Sequence, residues 1–326
     1  MAKSPHPVDI HRQPAHVWLH RCALCTAGAT FLLICVGGIV TSTGAGLAVP
    51  DWPTTFGHNM FLYPWSKMVG GILYEHSHRL IGAGVGLLTL VLALLLWFRE
   101  PRGWLRWLGV AALVAVVVQG VLGGLRVVLL ERTLAVVHAA LAQAFFALTV
   151  SVAFFTSEEG RREPDKAPSR HSGRFRSLAL LTTGMIYVQL IFGALLRHTG
   201  AGLSAHLVGA GVVTMLVVCL GGWLLTSHAD QPTLVRPVTV LGVLLVLQLG
   251  LGLGSYLGKF TPLAARWSPL SLVMLTTAHV ATGALMLAAG LVLTLRIYRR
   301  LASRVPTVAR EFVPAPPGGR SEQARA

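Results

Sequence analysis

Charged residues are scarce in this chain of 326 residues: they make up 12% of it, and only 12 residues are Asp or Glu. Hydrophobic residues make up 54%, and the mean hydropathy is +0.66. This composition excludes an ordinary soluble domain. The start of the chain is polar and rich in histidine and lacks an apolar segment, so we expect no secretory signal there.

Cysteine is also rare, with four residues. Cys35 and Cys219 fall inside apolar runs, so no disulfide framework is predicted. Cys22 and Cys25 form a Cys-x-x-Cys pair at the inner edge of the first run. Two interpretations of this pair stay open: a redox role, or small residues near a helix start.

Eight apolar runs are long enough to cross a bilayer, because about 20 residues of helix span its hydrocarbon core. The predicted fold class is therefore an all-α polytopic membrane protein with eight transmembrane helices. The runs cover residues 23–43, 72–98, 105–125, 134–155, 177–197, 203–226, 235–257 and 271–296.

The 27 Lys and Arg residues give a net charge of +15, but their positions indicate topology rather than a nucleic-acid partner. When alternate loops are assigned to opposite sides, most of these residues fall on one side, together with both termini. By the positive-inside rule that side is cytoplasmic, which predicts an N-in/C-in arrangement. We therefore expect a multi-pass protein of the cell (cytoplasmic) membrane, in contact with lipid.

Two segments with the sequence Thr-Gly-Ala-Gly-Leu lie at matching points of the hydropathy pattern, at Thr43–Leu47 and Thr199–Leu203. This repeat predicts two homologous four-helix bundles, joined by a charged linker that contains proline and followed by a disordered cytoplasmic tail. The predicted parts are the N-terminal unit 1–160, the linker 161–176, the C-terminal unit 177–300 and the tail 301–326.

A second repeated pattern is a Gln four residues before a Gly, in the third, fifth and seventh runs. Two interpretations are equally open. The glycine can allow close helix packing while the glutamine bonds across helices, or the two residues can contact a cofactor. The pairs are Gln119 and Gly123, Gln189 and Gly193, and Gln248 and Gly252.

Four histidines, two in each unit, lie near the outer start of four different runs: His78, His138, His206 and His279. Charged groups at membrane depth cost a few kcal/mol or more, so this recurrence of ionisable residues calls for a function. Facing helices of a bundle can hold one heme between two neutral imidazoles. We therefore predict two heme sites, His78 with His138 and His206 with His279. One isolated histidine would more often be hydrogen bonded to a neighbouring helix, but four equivalent positions favour ligation.

Glu75 lies one helical turn before His78 and is the one carboxylate placed inside a membrane run. It is a candidate general base or proton acceptor beside a bound substrate. The alternative is a salt bridge with Arg79 or Lys67. No carboxylate precedes His206, so the two sites are predicted to be unequal. A di-iron centre is excluded, because it needs about four carboxylates.

Several basic residues lie near the outer ends of the runs. Three are candidate contacts for heme propionates: Arg79, Arg126 and Arg197. For two others, Lys259 and Arg266, anchoring at the membrane interface is an equally strong interpretation.

With these residues the chain resembles the heme A synthase family. The similarity covers the chain from about residue 20 to residue 300, and the combination of motifs is specific although each motif alone is weak. The motifs are Gly37–Leu47 (Gly-Gly-Ile-Val-Thr-Ser-Thr-Gly-Ala-Gly-Leu), Pro50-Asp51-Trp52-Pro53, Glu75-x-x-His78-Arg79 and the later His138, His206 and His279.

The resemblance implies a membrane oxidoreductase that oxidises the C8 methyl group of heme O to a formyl group, making heme A for cytochrome oxidase. It implies heme O as substrate in the N-terminal half and heme b as cofactor in the C-terminal half. Glu75 would then be catalytic, His78 and His138 would ligate the substrate, and His206 and His279 would ligate heme b. The expected partners are the enzyme that produces heme O and an electron acceptor of unknown identity. Whether the chain forms a homo-oligomer is open.

The chain departs from the family in one respect. Many bacterial members carry a cysteine pair in the loop after the first helix, whereas residues 48–58 contain none here. Thiol exchange at that loop is therefore excluded, and Asp51 and Trp52 are expected to shape the mouth of the substrate site.

Two other functions were weighed from the residues. A diheme b-type electron-transfer cytochrome without substrate chemistry, in which Glu75 only tunes a heme, is the alternative. A transporter built from repeats is disfavoured, because the equivalent polar residues cluster near one face rather than at the midplane. The roles of His76 and His198, near the same face, stay open.

Overall fold

The computed structural model describes residues 14–163, 167–169 and 171–303. Helices account for most of these residues, with short 3-10 turns at Met60–Leu62, Trp65–Lys67 and Pro262–Arg266. The helices are α1 Pro14–Ser42, α2 Gly71–Arg99, α3 Gly103–Val128, α4 Arg132–Thr156, α5 Glu158–Arg161, α6 Ser172–Thr199, α7 Leu203–Ser227, α8 Pro232–Phe260 and α9 Pro269–Arg300.

Eight of these helices, all except the four-residue α5, are long and apolar enough to cross a membrane. The predicted class of an all-α membrane protein with eight spanning helices is confirmed. One feature was not predicted: β1 (Ala167–Ser169) pairs in parallel with β2 (Leu301–Ser303). Residues 304–326 of the predicted tail and part of the predicted linker lie outside the described residues.

Seven of the eight membrane helices begin earlier than the apolar runs, most obviously α1, which begins at Pro14 rather than at residue 23. Leu19 and Ala23 are buried there in one cluster with Leu92 and Leu96 of α2. Burial of apolar surface stabilises the fold by about 25 cal/mol per Å². Packing between helices therefore extends α1 through a segment whose hydropathy alone does not indicate a membrane helix.

The helix contacts follow one scheme twice. Within α1 to α4 each helix packs on the next, and α4 returns to pack on α1; α6 to α9 repeat the scheme, with α9 packed on α6. The two sets are joined where α1 packs on α9 and where α4 packs on α6 and α9. The division into two separate units and the N-in/C-in orientation stay predictions.

The repeated Thr-Gly-Ala-Gly-Leu segments end α1 and α6 in the same way. Gly44 and Gly200 follow these helices with φ of 71° and 77°, the left-handed conformation in which glycine terminates a helix at little cost. The second copy enters α7 directly at Leu203. The first copy instead begins a long loop, residues 43–70, which lies at the same end of the protein as the four histidines. We call this end the histidine end.

The opposite end is closed by ion pairs, one with a buried and one with a partly exposed carboxylate, that the sequence pattern did not reveal. Glu100, just after α2, is fully buried and accepts hydrogen bonds from Arg102 and Arg161. Glu159 of α5 accepts from Arg296 of α9 at 2.8–3.1 Å. The short helix α5 therefore ties the α2–α3 connection to the last membrane helix.

Candidate functional site

Each of the four histidines packs its imidazole against a glycine of the preceding membrane helix. A methyl group at the glycine would lie 3.1–3.2 Å from Cε1 of the ring in all four cases, which is closer than ordinary contact. The glycines thus allow the helices to approach closely and fix the position of each ring. The pairs are Gly37 with His78, Gly123 with His138, Gly193 with His206, and Gly252 with His279.

Two glutamines of the Gln-x-x-x-Gly pattern brace the helix turns that carry histidines. Nε2 of Gln119 donates to the backbone carbonyl of His138 at 3.1 Å, and Nε2 of Gln189 donates to that of His206 at 2.8 Å. Nε2 of Gln189 also lies 3.1 Å from Nδ1 of His206. For these two helix pairs the packing interpretation is confirmed, and the bonds act directly on the histidine backbone.

His206 and His279 face each other with ring centroids 6.2 Å apart and ring planes inclined by 80°. Two imidazoles bonded to opposite sides of one metal at about 2 Å each have centroids roughly 6 Å apart. Nδ1 of His279 is buried, with no hydrogen-bond partner in the described part of the chain. The spacing of the two rings therefore fits a pair of residues that would hold a heme iron.

His78 and His138 form the corresponding pair on α2 and α4. Nδ1 of each ring is buried and has no partner among the described residues, and the two rings lie close enough to interact electrostatically. Buried polar atoms without partners are costly, so their presence here points to a ligand. Arg126 interacts electrostatically with both rings. This pair also fits an iron porphyrin, and Arg126 is the cation available to pair with a carboxylate of the porphyrin.

Trp52 of the 43–70 loop lies against α3 beside the first pair. Its indole fills the space over Gly124, where any side chain would overlap the ring. The preceding residue, Gly123, carries the imidazole of His138. Trp52 therefore covers the helix turn next to a candidate ligand, and its place at the mouth of a substrate site stays a prediction.

Glu75 is buried, with 4% of its surface exposed. Its Oε1 accepts from Arg79 at 2.7 Å and its Oε2 accepts from the Val49 amide at 2.9 Å. The salt bridge with Arg79, weighed as an alternative, is thus present, and Lys67 is not the partner. A carboxylate has about four lone-pair sites, so Glu75 retains acceptor capacity one turn from His78.

Two of the candidate propionate contacts, Arg79 and Arg126, differ in the number of hydrogen bonds that each makes within the protein. Arg79 donates to Glu75 and to three loop carbonyls, so it holds the loop on α2 and is largely committed. Arg126 donates one hydrogen bond, to the carbonyl of Gly46 at 3.1 Å. Arg126 is therefore the better placed to bind an anionic group. The loop carbonyls that accept from Arg79 belong to Val49, Asp51 and Thr54.

Arg197, the third candidate, crosses from α6 to α1. Its guanidinium donates to the carbonyl of Gly38 and to Oγ of Ser42, both at 2.6 Å. Oγ of Ser42 also lies 2.8 Å from Oγ1 of Thr276, one turn before His279 in α9. Helix α1, which packs on His78, is thus bonded to α6, which packs on His206, and to α9, which carries His279. Gly38 and Ser42 were not singled out for this role, because their partners are distant in sequence.

His76 and His198 occupy different surroundings. Nδ1 of His76 lies 3.2 Å from Oγ1 of Thr55, and its ring packs on Tyr63, so it contacts the 43–70 loop rather than the facing histidines. His198 interacts electrostatically with both Arg126 and Arg197. It therefore lies between the two histidine pairs.

Asp51 shapes the 43–70 loop. Its carboxylate accepts from the backbone amides of Phe56 at 2.7 Å and Gly57 at 2.9 Å, and from the hydroxyl of Thr54. Partial burial would raise the pKa of Asp51, but these hydrogen bonds outweigh it and lower the pKa to about 2. The ionised form is therefore part of the folded loop.

The loop should open in acid. Because the folded pKa of Asp51 is depressed, its stabilisation is present above the ordinary value near pH 4 and is lost as the pH falls through about 2. Pepsin cleavage of the loop should accelerate across that window in the wild type, whereas Asp51→Asn should be cleaved rapidly throughout. Equal cleavage rates of the two proteins at about pH 4 would contradict this role.

The four glycines that pack against the histidine rings, which we call the glycine seats, should be sensitive to one added methyl group. Gly252→Ala would press on the His279 ring, so purified protein should hold several-fold less heme in this site, with a shifted absorption spectrum. Gly250→Ala on the same helix is the matched control, because nothing lies within 4 Å of its added methyl. Equal heme content in the two variants would show that the seat does not position the ligand.

Together the fold and the site define a multi-pass membrane protein with two pairs of helix-borne histidines suited to iron porphyrins. Residues 64–211 match the family model COX15-CtaA, described as cytochrome oxidase assembly protein. Three curated relatives, each named heme A synthase, are also similar to this chain. The chain is thus similar to the COX15-CtaA family over residues 64–211 and to curated heme A synthases over a little more than half of its length.

The relative from Shouchella clausii is 29% identical over 192 residues, covering 58% of this chain and 62% of the relative. The relative from Alkalihalophilus pseudofirmus is 27% identical over 186 residues, covering 55% and 59%. The relative from Bacillus pumilus is 29% identical over 185 residues, covering 53% and 57%. The chain thus matches about six tenths of the length of these relatives. The family-model match contains Glu75, His78, His138 and His206, and His279 lies beyond it.

Proposed function

We propose that this protein is a heme A synthase, which oxidises the C8 methyl group of heme O to a formyl group. The observation that carries the proposal is the inequality of the two histidine pairs. Glu75 is a buried carboxylate one turn before His78, whereas the turn before His206 contains no carboxylate. An acid/base group beside only one pair suits a substrate site next to a redox site.

In this proposal His78 and His138 would hold the iron of heme O. Among the described residues Arg126 has one acceptor, so its remaining donors are available to hold a propionate in a charge-assisted hydrogen bond. Trp52 over Gly124 and the Asp51-shaped loop limit access of water from the histidine end. These residues bind and orient the substrate.

Glu75 is proposed to accept a proton released during oxidation of the methyl group. Its bonds to Arg79 and the Val49 amide hold the carboxylate in place, and its unused lone pairs can receive the proton.

The second pair, His206 and His279, is proposed to hold heme b as cofactor. Heme b, when bound, supplies a redox-active iron that accepts and passes on electrons. The spacing of 6.2 Å between the ring centroids supports this role. Arg197 is proposed as a propionate contact near His279. Residues 1–160 would form the substrate unit and residues 177–300 the heme b unit, with the histidine end facing outward.

A diheme electron-transfer cytochrome is the second candidate, and one observation favours it. Both oxygens of Glu75 are bonded within the protein, to Arg79 and to the Val49 amide. A carboxylate in that position can anchor the loop without moving a proton.

Pigment extraction separates the two functions. Cells that make heme O, grown aerobically with and without this protein, should contain heme A only when the protein is present. If the protein accumulates in the membrane and heme O stays unconverted, the synthase proposal fails. A plain cytochrome would show a b-type spectrum in the membrane without a new pigment.

A further inference from the structure

One of the four histidine seats differs from the other three. Gln119, Gln189 and Gln248 each lie four residues before the glycine that seats a histidine, but Leu33 holds this position before Gly37. Leu33 is half-buried and packs on the apolar cluster around Val85. His78 is thus the one histidine of the four without a glutamine at this position.

The side chains at these positions occupy equivalent places. Leu33 lies next to Gly82, Gln189 next to Gly209 and Gln248 next to Gly283, and each glycine lies one turn after a histidine. Gln189 and Gln119 use this place to donate to the carbonyl of the histidine on the facing helix. A leucine side chain has no donor, so no bond from this position braces the turn that carries His78.

Such supporting bonds matter for ligand strength. Groups that orient a metal ligand typically change metal affinity by about 10–100-fold when they are removed. Nδ1 of His78 also has no hydrogen-bond partner in the described residues, so its ring is positioned by packing against Gly37 and not by a hydrogen bond. Among the four histidines, His78 is therefore the one that lacks both a glutamine at this position and a hydrogen bond at Nδ1 in the described residues.

We propose that His78 is the exchangeable ligand of the protein, and that Leu33 makes it so. The inference rests on the proposed function in one respect: a substrate heme must enter and leave, whereas a cofactor heme stays. The first pair would then combine one braced ligand, His138, with one that releases easily. The second pair is built from two positions that both carry a glutamine.

Heme transfer from the purified full-length protein tests this proposal. The protein is loaded with hemin as the probe and mixed with excess apomyoglobin, and the transfer is followed by absorbance. Wild type should release hemin in a fast and a slow phase. Leu33→Gln should slow the fast phase by about tenfold, because the glutamine can brace His78. Leu33→Met, of similar length but without a donor, is the matched control and should release hemin as the wild type does.

Gln189→Leu should do the reverse and accelerate the slow phase by about tenfold. If Leu33→Gln fails to fold, this variant decides: acceleration supports the proposal, and an unchanged slow phase overturns it. Single-phase release by the wild type, or equal fast phases in Leu33→Gln and Leu33→Met, also overturns it. A slowed fast phase in a protein that makes no heme A would refute the synthase function alone. Heme A formation with an unchanged fast phase would refute the exchangeable ligand alone.

Discussion

Glu75→Gln is expected to lower the heme A that accumulates in cells supplied with heme O by about 100-fold or more, while heme b stays bound. General acid–base groups contribute about 10²–10⁴-fold to a rate, and glutamine cannot accept the proton. Glutamine has nearly the same size as glutamate. Its NH2 group, however, must face either the Arg79 guanidinium or the Val49 amide, and both of these are hydrogen-bond donors. Heme A and heme b are measured in extracts of the same membranes.

A loss of heme A through the missing proton acceptor has to be distinguished from a loss of heme A through a loosened 43–70 loop. Asp51→Asn weakens the loop through the amides of Phe56 and Gly57 without touching Glu75, so it should reduce heme A far less. If Asp51→Asn and Glu75→Gln lose the same fraction of heme A, Glu75 acts as a loop anchor and not as a proton acceptor. Full heme A production by Glu75→Gln would contradict any role in the reaction.

Glu100→Gln is expected to destabilise the protein by about 3 kcal/mol, because it leaves two arginines of a buried ion pair uncompensated. Burial raises the pKa of Glu100, but the hydrogen bonds and charges of Arg102 and Arg161 outweigh it and lower the pKa below its ordinary value. The carboxylate is therefore ionised in the folded protein. Thermal unfolding of the purified protein in detergent measures the difference.

The matched control is Glu158→Gln, whose ion pair with Arg162 is exposed, with 73% and 65% of the two side chains accessible. Exposed pairs contribute about 0–1 kcal/mol, so this variant should unfold at nearly the wild-type temperature. The stabilisation by Glu100 is present above its ordinary pKa and is lost as the pH falls through the lowered value. Equal stability of the two variants would contradict the buried pair at Glu100.

The sequence predicted the membrane helices well, because eight apolar runs have few other ways to satisfy their backbone in lipid. It placed the helix ends less accurately. α1 begins nine residues before the run because Leu19 and Ala23 are buried against α2, and such burial depends on partners far along the chain. The ion pairs of Glu100 and Glu159 were missed for the same reason, since Arg161 and Arg296 are remote in sequence.

The candidate site, too, was predicted only in part from the sequence. The four histidines were recognisable because a polar residue repeated at one depth of apolar helices is conspicuous. Close helix packing was only one of two open interpretations of Gln-x-x-x-Gly. The contact of each histidine with a glycine was not predicted, because sequence spacing does not report which helices touch. Glu75 was recognised as unusual, but its two bonds to Arg79 and Val49 depend on how the 43–70 loop folds back on α2. Periodicity carries no information on that loop.

The porphyrins held by two double variants test most directly whether the two histidine pairs form unequal sites. Both variants are purified from cells that make heme b and heme O, and their pigments are extracted and identified. The variant with His78→Ala and His138→Ala should retain heme b and lose heme O and heme A. The variant with His206→Ala and His279→Ala should lose heme b and still bind heme O. Loss of the same pigments in the same proportion from both variants would contradict a substrate site beside a cofactor site.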